Sequence, residues 1–172
     1  MFQDEARFGR ISDHRRCWAP LPIRPVVGHQ VVREYIYALT AVSPHDGRLA
    51  CLIMPWVDAE TMSIFLAHTA QTFPDEFCLM ILDGAGWHHA GDLRVPENMA
   101  LIFLPPYSPE LNPVEHLWAY LRTHAMGNTA FHSLDQVQNV LASGLRDLDQ
   151  QPELVHAMTN FNWLNTICLT LN

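Results

Sequence analysis

The sequence contains no lysine, so all ten of its basic residues are arginines. It has no apolar run of about 18 residues, the length that a membrane-spanning helix needs, and its first residues do not form the pattern of a secretory signal. The cysteines are far apart and form no CxxC pair, which argues against a zinc site or a disulfide framework and favours a reducing cytoplasm. These cysteines are Cys17, Cys51, Cys78 and Cys168. Because 49% of the 172 residues are apolar, the chain can bury the core of one domain.

Acidic residues dominate the charge. The net charge of −8 argues against generic binding to nucleic acid. The charge is also unevenly distributed, because residues 1–48 hold seven arginines and five acids, whereas residues 49–172 hold three arginines and thirteen acids. Two interpretations stay open. The asymmetry is either scatter without a function, or a basic contact surface near the N-terminus beside acids that need cations.

The hydrophobic pattern predicts five strands. Two of them are separated by the hairpin-turn sequence PHDG at 44–47, and the last two are continuous apolar runs, typical of strands buried on both faces of a parallel sheet. Residues 9–27, with three prolines and four arginines, are predicted to form a loop or an irregular hairpin. The predicted strands are 1–8, 33–43, 48–56, 77–82 and 99–105.

Helix signals follow the third and the fifth strand. Asp58 is placed as the N-cap of one helix, and Ser133 and Gln136 have capping-box spacing at the start of another. A helix is also predicted to begin near Pro113, and a short one to cover 152–161. The apolar faces of the three longer helices are predicted at Met62, Phe65, Leu66 and Thr69, at Val114, Leu117, Trp118 and Leu121, and at Val137, Leu141, Leu145 and Leu148. The order of elements is that of a mixed α/β domain.

Two aspartates lie at predicted strands. Asp83 directly follows the apolar run 77–82, and in open α/β sheets ligands bind at the carboxyl ends of strands. The alternative is that Asp83 begins an ordinary Asp-Gly turn. Asp4 shares a strand face with Phe2 and Ala6, where burial of a carboxylate requires a partner or a bound cation. The alternative is that this segment is not a strand and that Asp4 is exposed.

Glu115 stands in the proline-rich stretch LPPYSPELNPVEHLWAYLR, residues 104–122. Asn112 is a favoured N-cap residue and Pro113 suits the first helical position, which places Glu115 where it can bond back to the cap. A role as a metal ligand is compatible with this position, because a helix N-terminus favours the ionised carboxylate. Both interpretations stay open.

Together, Asp4, Asp83 and Glu115 predict an oxygen-ligand site for Mg²⁺ or Mn²⁺. Two such ions about 4 Å apart can activate a water or a hydroxyl and stabilise the leaving oxygen of a phosphodiester. The residues alone therefore favour metal-dependent phosphoryl transfer with two ions.

Three motifs, FQDEARFG, LDGAGWHHA and PPYSPELNPVEHLW, resemble those of the DDE transposases of bacterial insertion sequences related to the mariner superfamily. The resemblance covers nearly the whole chain. It implies a ribonuclease H-like fold, with a central mixed five-stranded sheet flanked by helices, as a single DDE endonuclease domain over residues 1–172. The family's metal-binding triad falls on Asp4, Asp83 and Glu115. His88 matches the family's histidine near the scissile phosphate; the alternative is a surface or core histidine.

The resemblance implies cleavage of DNA at transposon ends and joining of the freed 3′-OH to target DNA, with Mg²⁺ or Mn²⁺ as cofactor. The implied partner is DNA, the implied active form is a homodimer, and the implied location is the bacterial cytoplasm at the nucleoid. Arg15, Arg16 and Trp18 are predicted to contact DNA through phosphate bonds and stacking. The alternative for Trp18 is a place at the edge of the core.

Two departures from the family pattern affect this interpretation. The N-terminal helix-turn-helix region that family members carry is absent from the sequence, so we expect either a catalytic half that works with a separate helix-turn-helix polypeptide or a remnant. The helix after Glu115 has only Arg122 where several basic residues are expected. Two rival functions stay open: another ribonuclease H-like nuclease, and a non-catalytic remnant or regulatory module.

Overall fold

The computed structural model describes residues 1–89 and 91–164, without the side chain of His89. Cys168 and the last residues of the predicted domain, 165–172, lie outside the described residues. None of the helices in the described part is long and apolar enough to cross a membrane.

Five strands form one mixed sheet. β1, β2 and β3 pair antiparallel, whereas β4 and β5 run parallel to β1. The order across the sheet is β3-β2-β1-β4-β5, so β1 lies at the centre and the chain crosses over to add β4 beside it. The predicted mixed five-stranded sheet is therefore confirmed. The strands are β1 (Phe2–Ile11), β2 (Val31–Val42), β3 (Leu49–Met54), β4 (Cys78–Leu82) and β5 (Met99–Phe103).

Helices flank this sheet on both faces. α1 packs on one face, and α2, α3 and α4 pack on the other. The apolar faces predicted for α1, α2 and α3 are all buried, which confirms the helical spacing. The helices are α1 (Ala59–Thr72), α2 (Val114–His124), α3 (Leu134–Asp149) and α4 (Pro152–Thr159).

The burial predicted for β4 and β5 on both faces is wrong in part. Leu79 and Ile102 are 51% and 47% exposed, although Met80 and Leu82 are fully buried under α1. The reason is that α2 and α3 contact β1 and β2 rather than β4 and β5. Within residues 1–89 and 91–164, one face of the parallel half of the sheet is consequently left uncovered by a helix.

The side chains of β1 alternate between the two layers. Phe2, Ala6 and Phe8 belong to the core beneath α2 and α3, and Asp4 shares their face, as the strand pattern predicts. Gln3 is fully buried on the α1 side. The two faces of one strand therefore carry polar groups into both layers.

The β2–β3 hairpin and the caps of α1 and α3 follow the sequence signals, with one exception among the loops. Gly47 closes the β2–β3 hairpin with φ +73°, where a Cβ would meet the carbonyl of Pro152. Asp58 accepts the Thr61 N–H at 2.8 Å, and Ser133 accepts the Gln136 N–H at 3.1 Å, so both predicted caps are confirmed. The exception is the segment 9–27, because β1 continues to Ile11 before the chain leaves the sheet.

Candidate metal centre

Asp4 and Asp83 lie on neighbouring strands. Asp83 directly follows Leu82, the last residue of β4. β4 runs parallel to β1 with Phe2 opposite Ile81. Continued by two residues on both strands, this register brings Asp4 level with Asp83.

Asn112 ties the start of α2 to β1. Its side-chain N–H donates to the Gln3 carbonyl at 2.9 Å, and its side-chain oxygen accepts the Val114 N–H at 3.2 Å. Asn112 is buried. Because Gln3 precedes Asp4 and Val114 precedes Glu115, this pair of bonds holds the helix start beside the strand that carries Asp4.

The capping box predicted for α2 is wrong. The helix begins at Val114, its cap position is Pro113, and no side chain bonds to the cap. The Asn112 side-chain oxygen still accepts the Val114 N–H at the helix start, while its side-chain N–H donates to the neighbouring strand. Glu115 is the second helical residue and is exposed, so the described contacts leave its carboxylate without a capping role.

All three predicted metal ligands line one cavity. Asp4, Asp83 and Glu115 share a cleft of about 650 Å³ with Asn112 and the segment 103–109. Main-chain pairing continues past the ends of β4 and β5, since the Leu104 N–H donates to the Leu82 carbonyl at 2.8 Å. This pairing keeps the proline-rich segment at the carboxyl end of the parallel strands, where the sequence placed the site.

The carboxyl of Asp4 titrates far from its usual range. Its pKa is raised to about 8, chiefly by burial and in part by the nearby Glu115 and Glu5 carboxylates, against a lowering by the Trp118 hydrogen bond. That bond runs from the Trp118 indole Nε1 to Asp4 Oδ2 at 2.9 Å. Without an ion, Asp4 therefore keeps its proton below about pH 8, and a cation in the cleft would favour its ionised form.

His88 contacts Asp83 but does not itself line the cleft. It lies in a short 3₁₀ turn, Gly86–His89, and its side chain is 1% exposed. Its Nδ1 is 2.9 Å from the Asp83 carbonyl oxygen and 3.0 Å from Asp83 Oδ1. On the other side of the ring, Nε2 lies 3.8 Å from Oε2 of Glu5. Burial raises the pKa of Glu5, and the neighbouring His88 opposes this rise.

Two sets of candidate metal ligands share Asp83. In the described part of the chain, Glu5, Asp83 and His88 offer atoms that all lie within 4.8 Å of one another. The carboxylates of Asp4, Asp83 and Glu115 line the cleft but do not form a group within that distance. Their all-oxygen donor set matches the preference of Mg²⁺ and Mn²⁺. The carboxylates present thus fit a hard divalent cation.

The predicted DNA contacts lie on the connection between β1 and β2, away from the residues that line the cleft. Trp18 is fully exposed, so its alternative place at the core edge is wrong. Arg16 is also exposed. The Arg15 guanidinium is paired with Asp13 at 2.7 Å.

Two residues of the site were not found from the sequence. Glu5 lies on the strand face opposite Asp4, so strand periodicity separates it from the candidate metal ligands. Trp118 was assigned to the apolar face of α2, which is correct, but its indole N–H also reaches Asp4. A buried indole nitrogen needs a partner, and this requirement was the one signal available.

Solved structures place this fold in a class. The catalytic domain of Mos1 mariner transposase matches with a TM-score of 0.54 at 14% identity, over 92% of this chain and 81% of that chain. The Mos1 paired-end complex with Mn matches with a TM-score of 0.59 at 16% identity, over 93% of this chain and 55% of that chain. The chain therefore spans about half the length of the latter. At such identities the likeness concerns the fold, which is the ribonuclease H-like fold of transposase catalytic domains.

Sequence relatives place the chain more closely. The model of the DDE superfamily endonuclease family matches residues 1–138. A protein of Sinorhizobium fredii (strain NBRC 101917 / NGR234), called uncharacterized protein y4pE/y4sA, is 36% identical over 130 residues, which are 75% of this chain and 96% of that protein. The chain belongs to the DDE superfamily endonuclease family, and the resemblance stated from the three motifs is confirmed.

Proposed function

We propose that this chain is the catalytic domain of a transposase, which cleaves DNA phosphodiester bonds at transposon ends and transfers the freed 3′ ends to target DNA. The observation that carries the proposal is the convergence of Asp4, Asp83 and Glu115 on one cleft. They come from a central strand, a strand end and a helix start, so folding alone brings them together.

The proposed cofactor is a pair of Mg²⁺ or Mn²⁺ ions held by these carboxylates. When bound, such ions would activate the attacking water or hydroxyl and stabilise the leaving oxygen of the phosphodiester. The cleft that these carboxylates line has a volume of about 650 Å³, which is room enough for more than one ion. The same assignment fits the raised pKa of Asp4, because a bound cation would take the place of the proton that its buried carboxyl otherwise keeps.

In this proposal, residues of the chain position the carboxylates and contact the DNA. Trp118 orients Asp4 from the core, and Asn112 holds the helix start that carries Glu115. The exposed Trp18 and Arg16 on the β1–β2 connection are the proposed DNA contacts, through stacking and phosphate bonds.

The proposed partners follow from the likeness to transposase structures. Two of these are named as a Mos1 paired-end complex with left transposon end and a Mos1 strand transfer complex, and the chain covers 55% and 54% of them. We propose that this chain likewise acts on DNA ends as a homodimer, at the nucleoid. A separate helix-turn-helix polypeptide is the proposed reader of the ends.

Nicking of a labelled duplex that carries the element's own ends tests this function. We expect Mg²⁺- or Mn²⁺-dependent nicks at the end of the element with the unaltered chain, and background cleavage with Asp83→Asn. Asp75→Asn, at an exposed aspartate outside the cleft, is the matched control and should cleave normally. Equal cleavage by the unaltered chain and Asp83→Asn would overturn the proposal.

A further inference from the structure

Asp83 contacts the buried ring of His88. Its side chain is 56% exposed, yet its Oδ1 lies 3.0 Å from His88 Nδ1 and accepts the Ala85 N–H at 3.0 Å. The same Nδ1 lies 2.9 Å from the Asp83 carbonyl oxygen. An exposed carboxylate at a strand end would otherwise sample several rotamers. Here the ring bonds the Asp83 backbone carbonyl and also contacts Oδ1, which the Ala85 N–H holds from the other side.

The other nitrogen of this ring faces a second carboxylate. His88 Nε2 is buried without a hydrogen bond to any described residue, and it lies 3.8 Å from Glu5 Oε2. That oxygen accepts the Gln3 side-chain N–H at 3.1 Å. The ring of His88 therefore lies between Glu5, on the α1 face of β1, and Asp83, whose carboxylate lines the cleft.

We propose that His88 and Glu5 are positioning residues for Asp83: Glu5 holds the ring of His88 in place, and His88 fixes the Asp83 carboxylate in a metal-binding orientation before any ion arrives. This inference rests on the proposed function, since it assigns a task toward the metal that Asp83 would bind. Groups that orient a metal ligand commonly contribute about 10–100-fold to metal affinity. Glu5 and His88 do not line the cleft, so their effect on a metal there must pass through Asp83.

A direct metal site made by Glu5, Asp83 and His88 is the competing use of these residues. Their ligand atoms are close enough, within 4.8 Å. The geometry favours positioning, because Nδ1 is already engaged with Asp83 and the ring is almost fully buried. The two uses differ in a measurable way: positioning sets affinity, whereas a direct site also sets the number of ions bound.

Calorimetric titration of the full chain with Mn²⁺ alone, without DNA, separates these cases. His88→Phe keeps a ring and removes the donor, whereas His88→Asn restores an N–H near the position of Nδ1. We expect His88→Phe to weaken Mn²⁺ binding by about 10–100-fold with unchanged stoichiometry, and His88→Asn to recover most of the affinity. A purely structural role would weaken binding in both variants in proportion to their loss of thermal stability.

Glu5→Gln extends the test to the second positioning residue, and it carries the test if His88→Phe does not fold. We expect an affinity loss of several-fold or more, because the charge behind the ring is removed. His156→Gln is the matched control, since the ring of His156 also bonds a backbone carbonyl, that of Pro44 at 2.8 Å, far from the cleft. This control should bind Mn²⁺ normally.

The outcomes are separable from those of the proposed function. Loss of Mn²⁺ binding in Asp83→Asn, with unchanged affinity in His88→Phe and Glu5→Gln, would overturn the positioning role alone. A lower stoichiometry in His88→Phe would replace it with a direct metal site. Unchanged binding in Asp83→Asn would overturn both the positioning role and the proposed metal centre.

Discussion

The indole of Trp118 donates a 2.9 Å hydrogen bond to the carboxylate of Asp4, across 114 positions of the sequence. Trp118 is 1% exposed and packs edge-on against Phe8, with ring centroids 5.9 Å apart. One side chain thus joins the core beneath α2 to the cleft. Asp4 is consequently positioned by the same packing that holds the helix on the sheet.

Replacing the Trp118 indole tests whether its hydrogen bond to Asp4 contributes to stability. Trp118→Phe keeps an aromatic ring and removes the N–H, so we expect a loss of about 1–2 kcal/mol in the free energy of unfolding. Urea unfolding at neutral pH measures it. Trp163→Phe, at an indole that is 37% exposed, is the control and should change stability by less than about 0.5 kcal/mol. Equal losses in the two variants would contradict the role of the bond.

The titration of Asp4 predicts a pH dependence of stability. Its pKa is raised from 3.8 to about 8 in the folded chain. Between these values the folded chain binds more protons than the unfolded chain. The stabilisation that the protonated Asp4 carboxyl adds to the free energy of unfolding is therefore fully present below about pH 4. It is lost as the pH rises through about 8.

Unfolding in EDTA between pH 5 and pH 8.5 checks this dependence. We expect the free energy of unfolding to fall with rising pH in the unaltered chain and to fall less steeply in Asp4→Asn, which has no proton to lose. Asp75→Asn should keep the original slope, because the exposed Asp75 lies outside the cleft. The same slope in Asp4→Asn as in the unaltered chain would refute the assignment to Asp4.

The bond between Asn112 and β1 predicts a coupling between stability and metal binding. Asn112→Asp removes the donor to the Gln3 carbonyl, so we expect a loss of about 1–3 kcal/mol in stability together with weaker Mn²⁺ binding. Asn98→Asp is the matched control. It also removes an amide that donates to backbone carbonyls, those of Phe73 and Glu76 among them, but at the other end of the sheet. We expect this control to lose stability and to keep its metal affinity; a parallel loss of affinity would contradict the account.

The exposed indole of Trp18 predicts a DNA contact that is independent of the metal centre. Trp18→Ala should lower the affinity for a labelled duplex by about tenfold, given the usual contribution of base stacking, while Mn²⁺ affinity and thermal stability stay unchanged. Fluorescence anisotropy measures the DNA affinity. Trp56→Ala, at an indole that is 56% exposed, is the control. A loss of equal size in both variants would argue against a specific contact at Trp18.

The sequence was sufficient for most of the fold and for the three carboxylates of the cleft. The apolar run before Asp83 marks a strand end, and strand periodicity puts Asp4 on a buried face. Helical spacing identifies the face of α2 that packs on β1. These are local patterns, and the parallel register of β1 and β4 then brings the aspartates together.

The remaining features depend on long-range contacts. The helix pattern at the start of α2 gives no signal that the Asn112 side-chain N–H also bonds the β1 backbone, 109 positions away. Glu5 was missed because alternation separates it from Asp4, and only the turn at 86–89 carries a histidine across to it. Local sequence patterns do not encode which distant partner a polar group will meet.

Calorimetric titration with Mg²⁺ and Mn²⁺ tests most directly whether the acids at 4, 83 and 115 share cations. We expect Asp4→Asn and Glu115→Gln each to weaken binding by tenfold or more, since each removes a charged ligand. Glu153→Gln is the matched control, because Glu153 is an exposed glutamate in the first turn of α4, as Glu115 is in α2. Weakened binding in the first two variants alone is the predicted result; unchanged binding in both would contradict the shared metal centre.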